Sequence, residues 1–353
     1  MKKRFAVFLA AFSTWFFLGN RTYAFQGLPN FSGEFPQTTI TDFVLGPVCL
    51  SLPGGPFDLS CNPAFLATEE KKQFRMAGAA NDHVAQLNDS RMKLRAGDAT
   101  SIVSASIEAR EPKVARASSL LWYQRDWWAL GFSPFRGGLA TSVRNPAYPE
   151  VAAHVYAENE VFGKVGFIHR DDPNLHIGLQ LRYVQRDFFR REFDLLDALG
   201  NPSILKVEKQ NLLYVEPGVS YSFDSKWQSA VSASITQIPV YHDGDGFEFK
   251  PVVDVGFSSA PPFFGRRLRT STHYNGSPDQ TDILARFRWG AVYDIDHKAS
   301  VAAMLGKSDF SVGASGRYDS IVFGLAWKSE EIKPDKWQTV RISTFILEGG
   351  LAF

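Results

Sequence analysis

The stretch that most constrains the fold is the last one, residues 339–353, because large apolar residues recur there at every second position. The apolar register consists of Phe345, Leu347, Gly349, Leu351 and Phe353, and the other register holds Thr344, Glu348, Gly350 and Ala352. This is the period of a β-strand with one apolar face. At the edge of a soluble sheet such a strand would invite pairing with other chains, whereas a closed barrel gives it a partner on each side. The stretch therefore predicts the closing strand of a barrel, with an amphipathic strand of a β-sandwich as the alternative.

The first residues predict export. Lys2-Lys3-Arg4 is a short basic region, residues 5–18 are apolar, and Thr22-Tyr23-Ala24 ends in the small residue that signal peptidases favour. We expect a signal peptide at residues 1–24, cleaved near Ala24, with an uncleaved anchor as the alternative. Beyond it the sequence has no apolar run of about 18 residues. Membrane insertion would then have to use strands, which predicts a location in the bacterial outer membrane.

The same alternation recurs from about residue 98 onwards. We expect an all-β fold, an antiparallel transmembrane β-barrel of about fourteen strands. Twelve and sixteen strands stay open because the pattern is weak between residues 120 and 157. Residues 151–157 and 161–169 are interpreted as two strands. Short connections are expected on one side of the barrel at 170–174, 224–226, 294–297 and 318–320, and longer ones on the other side at 188–205, 239–246 and 275–280.

Composition agrees with this class and excludes another. The 38 Lys and Arg residues stand against 37 Asp and Glu residues, whereas a nucleic-acid-binding protein normally carries a basic excess. We therefore expect no nucleic-acid partner. The 30 Phe, 11 Tyr and 8 Trp residues are enough for aromatic girdles at both rims of a barrel.

Residues 25–97 are expected to form a small, partly helical segment, separate from a barrel at 98–353. Gly- and Pro-rich pieces indicate loops, and Asn62-Pro63 has the composition of a helix start, with the helix continuing to Met76. A second helix is predicted from Asp82 to about Gly97. The segment would either fill the barrel as a plug or cover it as a periplasmic cap.

Two cysteines, Cys49 and Cys61, lie close together in this segment. In an exported protein such a pair predicts a disulfide that staples a segment with little core of its own, with free thiols as the alternative. Their spacing matches neither a redox nor a zinc motif, so we expect no metal and no cofactor.

Charged residues fill the inward register of the expected strands. The candidates for the lumen are Arg182, Arg186, Glu216, Glu248, Lys250, Asp254, Arg286, Arg288 and Glu348. Open pores use rings of mixed charge, and filled barrels use the same residues as internal ion pairs, so both interpretations stay open. The connection at 186–199 mixes charges with aromatic residues, and would either fold into the lumen or meet lipopolysaccharide phosphates.

The best candidate for catalysis is the run from His242 to Glu248, in which Asp and His together activate water or bind a cation in some enzymes. Neither a G-x-S-x-G nor an H-E-x-x-H motif accompanies it. The run is also an ordinary Asp-Gly turn, and we expect no enzyme.

Asn62-Pro63-Ala64, at the end of the Gly- and Pro-rich stretch, resembles the plug motif of the FadL/TodX family of hydrophobic-compound channels and of related TraF-like barrels. The strand ending at Phe353 resembles the terminal strand that the barrel-assembly machinery recognises. The family resemblance implies a plug of some tens of residues in a fourteen-stranded barrel, with ligand leaving the lumen sideways into the membrane. The two cysteines and the helical stretch to Gly97 depart from the family, so no ligand-binding residue is carried over.

We therefore expect a channel or binding protein for small molecules, with hydrophobic ones such as fatty acids or lipids favoured because of the plug. The alternative is a structural, lipid-organising barrel with a closed lumen, including one that forms a homo-oligomer. Outer-membrane lipids and lipopolysaccharide are the expected surroundings in either case.

Overall fold

The computed structural model describes residues 39–52, 59–68, 72–109, 112–144, 150–194, 205–223, 226–244, 250–277, 282–296, 298–332 and 339–353. The expected signal peptide at 1–24 lies outside the described residues. Among them, no helix is both long enough and apolar enough to cross a bilayer.

Strands make up most of the described chain. Their bounds are β1 Lys72–Asn81, β2 Lys113–Arg125, β3 Trp128–Arg144, β4 Glu150–His169, β5 Asp172–Asp194, β6 Glu208–Ser222, β7 Ala230–Thr236, β8 Ile238–Asp243, β9 Val252–Ser259, β10 Leu268–Asn275, β11 Phe287–Asp296, β12 Ala299–Leu305, β13 Asp309–Tyr318, β14 Ile321–Ile332 and β15 Val340–Ala352.

The strands close into an antiparallel barrel. Strands that are neighbours in sequence pair with each other everywhere except around β8, and β1 pairs with β15, with Gln73 opposite Ala352. The strands β7 and β8 both pair with β6, at 218–222 and 211–215 respectively, and only Gln237 separates them. They are therefore one barrel strand with a break, and the fifteen segments of the described chain make fourteen barrel strands.

The outer face of the barrel is apolar. On β5 the exposed side chains Ile177, Leu179, Leu181 and Tyr183 alternate with buried ones, and exposed apolar residues also occur on strands across the rest of the wall. A soluble protein rarely exposes an apolar surface of this extent. Aromatic residues gather near one rim, where the Trp127 and Phe167 rings lie 5.8 Å apart, as do those of Trp227 and Phe263. An apolar band with an aromatic girdle is typical of a barrel that sits in lipid.

The two rims differ, and so does the height of the wall. The connections at 170–171, 297–298 and 319–320 are short and lie at the rim where β15 ends. The connections after β5 and β10 are longer and lie at the opposite rim, as the sequence predicted. The long connection after β1 lies there too but was not predicted, and the connection expected at 239–246 is strand β8 as far as Asp243. The strands β4 and β5 have 20 and 23 residues, whereas β9 and β12 have only 8 and 7. The barrel therefore has one tall side and one low side.

Helical segments lie both inside and outside the barrel. Helix α1 (Ile40–Leu45) and the 3-10 turns Gly46–Leu50 and Pro63–Thr68 contact the inner faces of the strands and form the plug. Helices α2 (Val84–Arg95) and α3 (Ala99–Ala109) belong to the connection between β1 and β2, and pack on β2 to β5 at the opposite rim from the short turns.

The expected boundary at residue 97 is wrong. Residues 72–81, which were assigned to the N-terminal segment, form the first barrel strand, and residues 82–109 are a connection of the barrel. The helix expected from Asn62 to Met76 is a 3-10 turn that ends at Thr68. The pairing of β1 with both β2 and β15 outweighs the local helix propensity of this stretch. The second helix is present as α2.

The number of strands agrees with the prediction through two errors that cancel. The strand β1 was missed, and β4 was counted twice, at 151–157 and 161–169. The polar Glu158-Asn159-Glu160 was left out between the two expected strands, but both glutamates belong to β4, point inward and are ion-paired there. The prediction of a loop or short helix from residue 186 is also wrong as far as Asp194, because β5 extends to that residue.

Candidate functional site: the plug in the barrel lumen

The plug is an apolar wedge. Thr39 caps the N-terminus of helix α1. Its hydroxyl oxygen accepts a hydrogen bond from the Asp42 N–H at 3.2 Å. All six residues of α1 are buried. Val44 of α1 and Val48 of the following 3-10 turn have no exposed surface. They pack with Val292, Met304, Ala326 and Ile346 of the barrel wall in one cluster. At about 1.5–3 kcal/mol for each large apolar side chain, this burial is the main force that seats the plug.

Asn62-Pro63-Ala64 begins the second part of the plug that contacts the barrel wall, the 3-10 turn Pro63–Thr68. The Asn62 carboxamide oxygen accepts the Ala64 N–H at 3.0 Å, which caps the 3-10 turn, and its Nδ2 donates to the Leu50 carbonyl at 2.9 Å. One side chain thus starts the turn and ties it to the preceding piece of the plug. The turn rests on the inner faces of β4, β5 and β6.

Inward-facing glycines form the seat of the plug. A Cβ atom at Gly178 of β5 would lie 2.2 Å from the Pro63 carbonyl carbon, and one at Gly218 of β6 would lie 2.1 Å from the Asn62 carboxamide oxygen. On the opposite wall, a Cβ at Gly324 of β14 would lie 2.2 Å from Ile40. No side chain fits at these three places, so the plug and these strands fit together only because the residues are glycine.

The two cysteines are joined. Cys49 and Cys61 form a disulfide with their Cα atoms 5.5 Å apart. It links the 3-10 turn Gly46–Leu50 to the residues just before the 3-10 turn Pro63–Thr68. The Asp42 carboxylate of α1 lies against both sulfur atoms. The prediction of a disulfide is confirmed, and it fixes the plug as one unit.

A buried ion pair anchors α1 to the wall. Arg75 Nε of β1 lies 2.8 Å from Glu348 Oε1 of β15, and neither side chain is exposed. The other oxygen of Glu348 accepts the backbone N–H of Ile40 at 2.7 Å. Glu348 therefore joins two adjacent strands and the first residue of the plug helix.

The other end of the plug has two polar anchors. The Ser51 hydroxyl lies 3.3 Å from Nδ1 of His273, whose Nε2 lies 3.0 Å from Asp254. A Ser-His-Asp set suggests a hydrolase, but all three residues are almost completely buried, so no substrate reaches the serine. The set holds Ser51 to β9 and β10. On β4, Lys164 donates to the carbonyls of Ser60 and Cys61 at 2.9 and 3.2 Å.

The largest charged cluster lies on the inner face of β3 to β6. Its members are Arg136, Glu158, Glu160, Arg182, Arg186 and Glu216, each less than a tenth exposed. Arg136 lies 2.5 Å from Glu158 and 2.9 Å from Glu160, and Arg182 lies 3.2 Å from Glu160 and 3.0 Å from Glu216. Three arginines balance three glutamates, so these residues form an internal network rather than a ring of one sign.

A second group closes the lumen between β2 and β14. Arg116 lies 2.6 Å from Glu330, which also pairs with Lys328 at 3.0 Å. Beside it, a cavity of about 10 Å³ is lined by Arg116, Arg136 and Tyr156, which is room for roughly one water molecule.

The other lumen candidates have different positions. Arg288 is on the inner face and lies 3.0 Å from Asp309. Arg286 was predicted in a strand but lies in the 3-10 turn Leu284–Arg286, where it donates to the Tyr274 hydroxyl at 2.8 Å, so its assignment to the lumen is corrected. Lys250 precedes β9 and is half-buried, and Glu248 lies outside the described residues.

The last strand has the predicted faces. Phe345, Leu347, Leu351 and Phe353 are all exposed on the outer surface, and the Phe353 N–H donates to the Lys72 carbonyl at 2.8 Å. Whether they also serve as an assembly signal stays a prediction.

The wall has a break beside the plug. Gln237, between β7 and β8, has a φ of 60°, a conformation that costs energy for a residue with a side chain. Its N–H leaves the ladder and donates to Glu216 at 3.0 Å. Within the described residues, β8 pairs with β6 alone, whereas β7 pairs with both β6 and β9. Val240 and Tyr241 of β8 are exposed next to this break.

Sequence reasoning missed several residues of this site. Arg75 was overlooked with its strand, and Glu158 and Glu160 with the residues left out between two expected strands. Lys164, Ser51 and His273 have no local pattern that marks them. The glycines of the seat did carry a signal, because they occur in the register that otherwise holds polar residues.

No protein-family model and no curated protein sequence matches the chain. Several solved structures do resemble it. The toluene transporter TbuX from Ralstonia pickettii is 12% identical, covers 88% of this chain and 98% of its own, and has a TM-score of 0.50. The toluene transporter TodX from P. putida is 11% identical with coverages of 83% and 92% and a TM-score of 0.47. The CymD monoaromatic hydrocarbon channel is 11% identical with coverages of 89% and 98% and a TM-score of 0.48. At such identities the likeness to TbuX establishes the fold, a plugged fourteen-stranded barrel.

Proposed function

We propose that this chain is an outer-membrane channel that admits small hydrophobic molecules from outside and releases them sideways through the wall. The observation that carries the proposal is the break at Gln237 between β7 and β8, where the Gln237 N–H turns to the inward-facing Glu216. Short turns mark the periplasmic rim of such barrels, so the rim with α2 and α3 faces outward.

The interior favours a sideways exit over a path along the axis. The plug and the charge networks occupy the axis, and an apolar solute that passed them would have to displace paired charges. At the break the exposed side chains of Val240 and Tyr241 on β8 offer an apolar surface toward the lipid. A hydrophobic solute is more stable in lipid than in the periplasm, so a side opening is the route of lower free energy.

The proposal also specifies the kind of solute that the channel carries. The resemblance to hydrocarbon transporters supports a compact, uncharged molecule such as toluene. A fatty acid also fits the general class, but its carboxylate would need a cation at the break. We therefore expect toluene to be carried faster than a long-chain fatty acid.

The test is uptake by Gram-negative host cells that lack their own hydrocarbon channels. Initial uptake of radiolabelled toluene and of radiolabelled oleate is compared between cells with the chain and cells with an empty vector. Deletion of Gln237 is the matched variant, because it removes the residue that breaks the strand. We expect the chain to raise toluene uptake several-fold and the deletion to lower it, with equal amounts of folded barrel. Uptake equal to that of the empty vector for both solutes would contradict the proposal.

A structural, lipid-organising barrel is the second candidate. The observation that favours it is the balanced internal network of three arginines and three glutamates, which seals one side of the lumen without the plug. This function predicts no uptake of either solute and a weakened outer-membrane barrier when the chain is removed from its own cells, measured by entry of a dye that intact membranes exclude.

A further inference from the structure

Helices α2 and α3 lie on the outside of the barrel, against the upper part of its tall wall. Ala115, Leu139, Val155 and Phe189 belong to the outward register of β2 to β5, yet they are buried. Leu87 and Leu94 of α2 and Ile102 of α3 cover them in one apolar cluster. The helical hairpin formed by α2 and α3 thus covers these strands in place of lipid.

The lower edge of the hairpin lies where the lipid-facing band ends. Along the outward register of β5, Ile177 to Tyr183 are exposed and apolar, Gln185 is exposed and polar, and Phe189 lies under α2. From the start of β5 to Tyr183 the strand rises about 36 Å, or about 26 Å along the axis of a tilted strand. This matches the roughly 25 Å apolar band of such barrels, so Gln185 lies at the headgroup level.

A cleft of about 370 Å³ opens at this level between α2 and the wall. Its lining consists of Arg95, Phe132, Pro134, Asn159, Glu160, Val161, Tyr183 and Gln185. The Glu160 carboxylate is already neutralised from the lumen side by Arg136 and Arg182. The lower part of the cleft is apolar and continuous with the lipid-facing band, because Phe132 and Val161 are both exposed. Its upper part is polar, and Gln185 donates to the Tyr183 hydroxyl at 3.2 Å. A cleft of this kind suits a molecule with an apolar tail and a polar head.

One cation, Arg95, lines the cleft, and a second, Arg91, is close to it on the same helix. Arg91 and Arg95 lie one turn apart on α2, and the Arg91 guanidinium lies 4.4 Å above the Phe135 ring. Its Nε is buried and has no hydrogen-bond partner among the described residues. Partial burial, and then the neighbouring charge of Arg95, lower the pKa of Arg91. An anion between the two guanidinium groups would satisfy both.

We propose that this cleft binds a phosphorylated lipid of the outer leaflet, with one phosphate between Arg91 and Arg95 and an acyl chain against Phe132, Val161 and Tyr183. Such a lipid would hold the hairpin at the membrane surface and fix the height of the tall wall. The proposal does not depend on transport.

The test is native mass spectrometry of the intact protein, released from detergent after incubation with bis-phosphorylated, hexa-acylated lipid A or with the same lipid after removal of both phosphates. Arg91→Gln/Arg95→Gln removes the cations, and Val161→Trp fills the apolar part. The matched control is Lys226→Gln/Lys298→Gln, which removes two exposed cations at the opposite rim. Heat-modified mobility in gels shows that each variant is folded.

We expect one lipid A per barrel, bound about 30-fold more weakly by the double arginine variant, which corresponds to about 1 kcal/mol for each of the two basic residues at a membrane surface. Removal of the phosphates from the lipid should have the same effect, Val161→Trp should also reduce binding several-fold, and the control should bind as the unchanged protein does. Equal binding of the two lipids, or unchanged binding in either cleft variant, would overturn the proposal.

Discussion

Glu348 is the residue on which the seating of the plug depends most. It pairs with Arg75 and accepts the Ile40 N–H, and none of these groups is in contact with water. We expect Glu348→Gln to lower the free energy of unfolding by about 3 kcal/mol, because it leaves the Arg75 charge buried without its partner. The measurement is the urea midpoint of the shift between folded and unfolded mobility in gels.

The double variant Arg75→Met/Glu348→Leu is the control for this prediction. It removes both charges at similar volume, so it should recover much of the lost stability. If Glu348→Gln alone unfolds at the same urea concentration as the unchanged protein, the ion pair contributes nothing to stability.

Asp98 makes the outer hairpin sensitive to pH. It precedes α3, and hydrogen bonds from the hydroxyl and the backbone N–H of Ser101, the latter 2.9 Å long, hold its pKa below the usual 3.8. A carboxyl group whose pKa is lower in the folded state stabilises that state above its unfolded pKa. This contribution is lost as the pH falls through the lowered value.

We therefore expect Asp98→Ala to speed hydrogen exchange at residues 101–104 at neutral pH, and to have no effect below the lowered pKa of Asp98. Asp98→Asn keeps a capping oxygen that does not titrate, so it should retain protection at both pH values. Equal exchange in Asp98→Ala and the unchanged protein at neutral pH would show that the cap does not hold the helix.

At the scale of structural elements, the inward-facing glycines that contact the plug tolerate a larger residue least. Gly178→Ala places a methyl group 2.2 Å from the Pro63 carbonyl carbon, so the 3-10 turn of the plug must move. A cost of about 1–3 kcal/mol is typical of such overpacking. We expect proteases to cleave the plug faster, which mass spectrometry of the fragments would measure. Gly78→Ala is the matched control, because its new methyl group would lie 4.0 Å from the nearest neighbour. Equal cleavage in the two variants would mean that the plug is not seated on Gly178.

The strands that the sequence predicted well are those with large apolar residues on one face, such as the middle of β5 and all of β15. The strand β1 escaped prediction because Phe74 and Met76 are its only large apolar outward residues, and its second half, residues 77–80, consists of Ala and Gly and shows no strand pattern. Its strand conformation comes from β2 and β15, which are distant in sequence.

The same reasoning explains which parts of the site were predictable. Arg182, Glu216 and Glu348 were found because charge in an inward register is a local pattern. The partners Arg136, Glu158 and Arg75 became visible only with the register of neighbouring strands, which no single stretch encodes. The break at Gln237 depends on one backbone angle, and the nearby Pro239 was interpreted as the start of a connection rather than as part of a strand that resumes.

At the scale of the whole molecule, the question is whether the plug moves during transport. Val44→Cys/Gly313→Cys would pin α1 to β13, since the Val44 Cγ2 lies 2.5 Å from a Cβ built at Gly313. We expect the oxidised form to lose toluene uptake and to regain it when a reductant opens the new disulfide. The unchanged protein with the same reductant controls for the native disulfide. Full uptake by the oxidised form would mean that solutes pass around a fixed plug.

The unequal height of the wall has a consequence for the bilayer itself. A strand of seven residues, such as β12, rises only about 14 Å along the axis, less than the roughly 25 Å of the usual apolar band. Lipids beside β9 to β12 must therefore shorten their chains, and a locally thinned bilayer follows this side of the barrel. The break at Gln237 lies next to this region, where hydrophobic mismatch has already loosened the packing of the acyl chains.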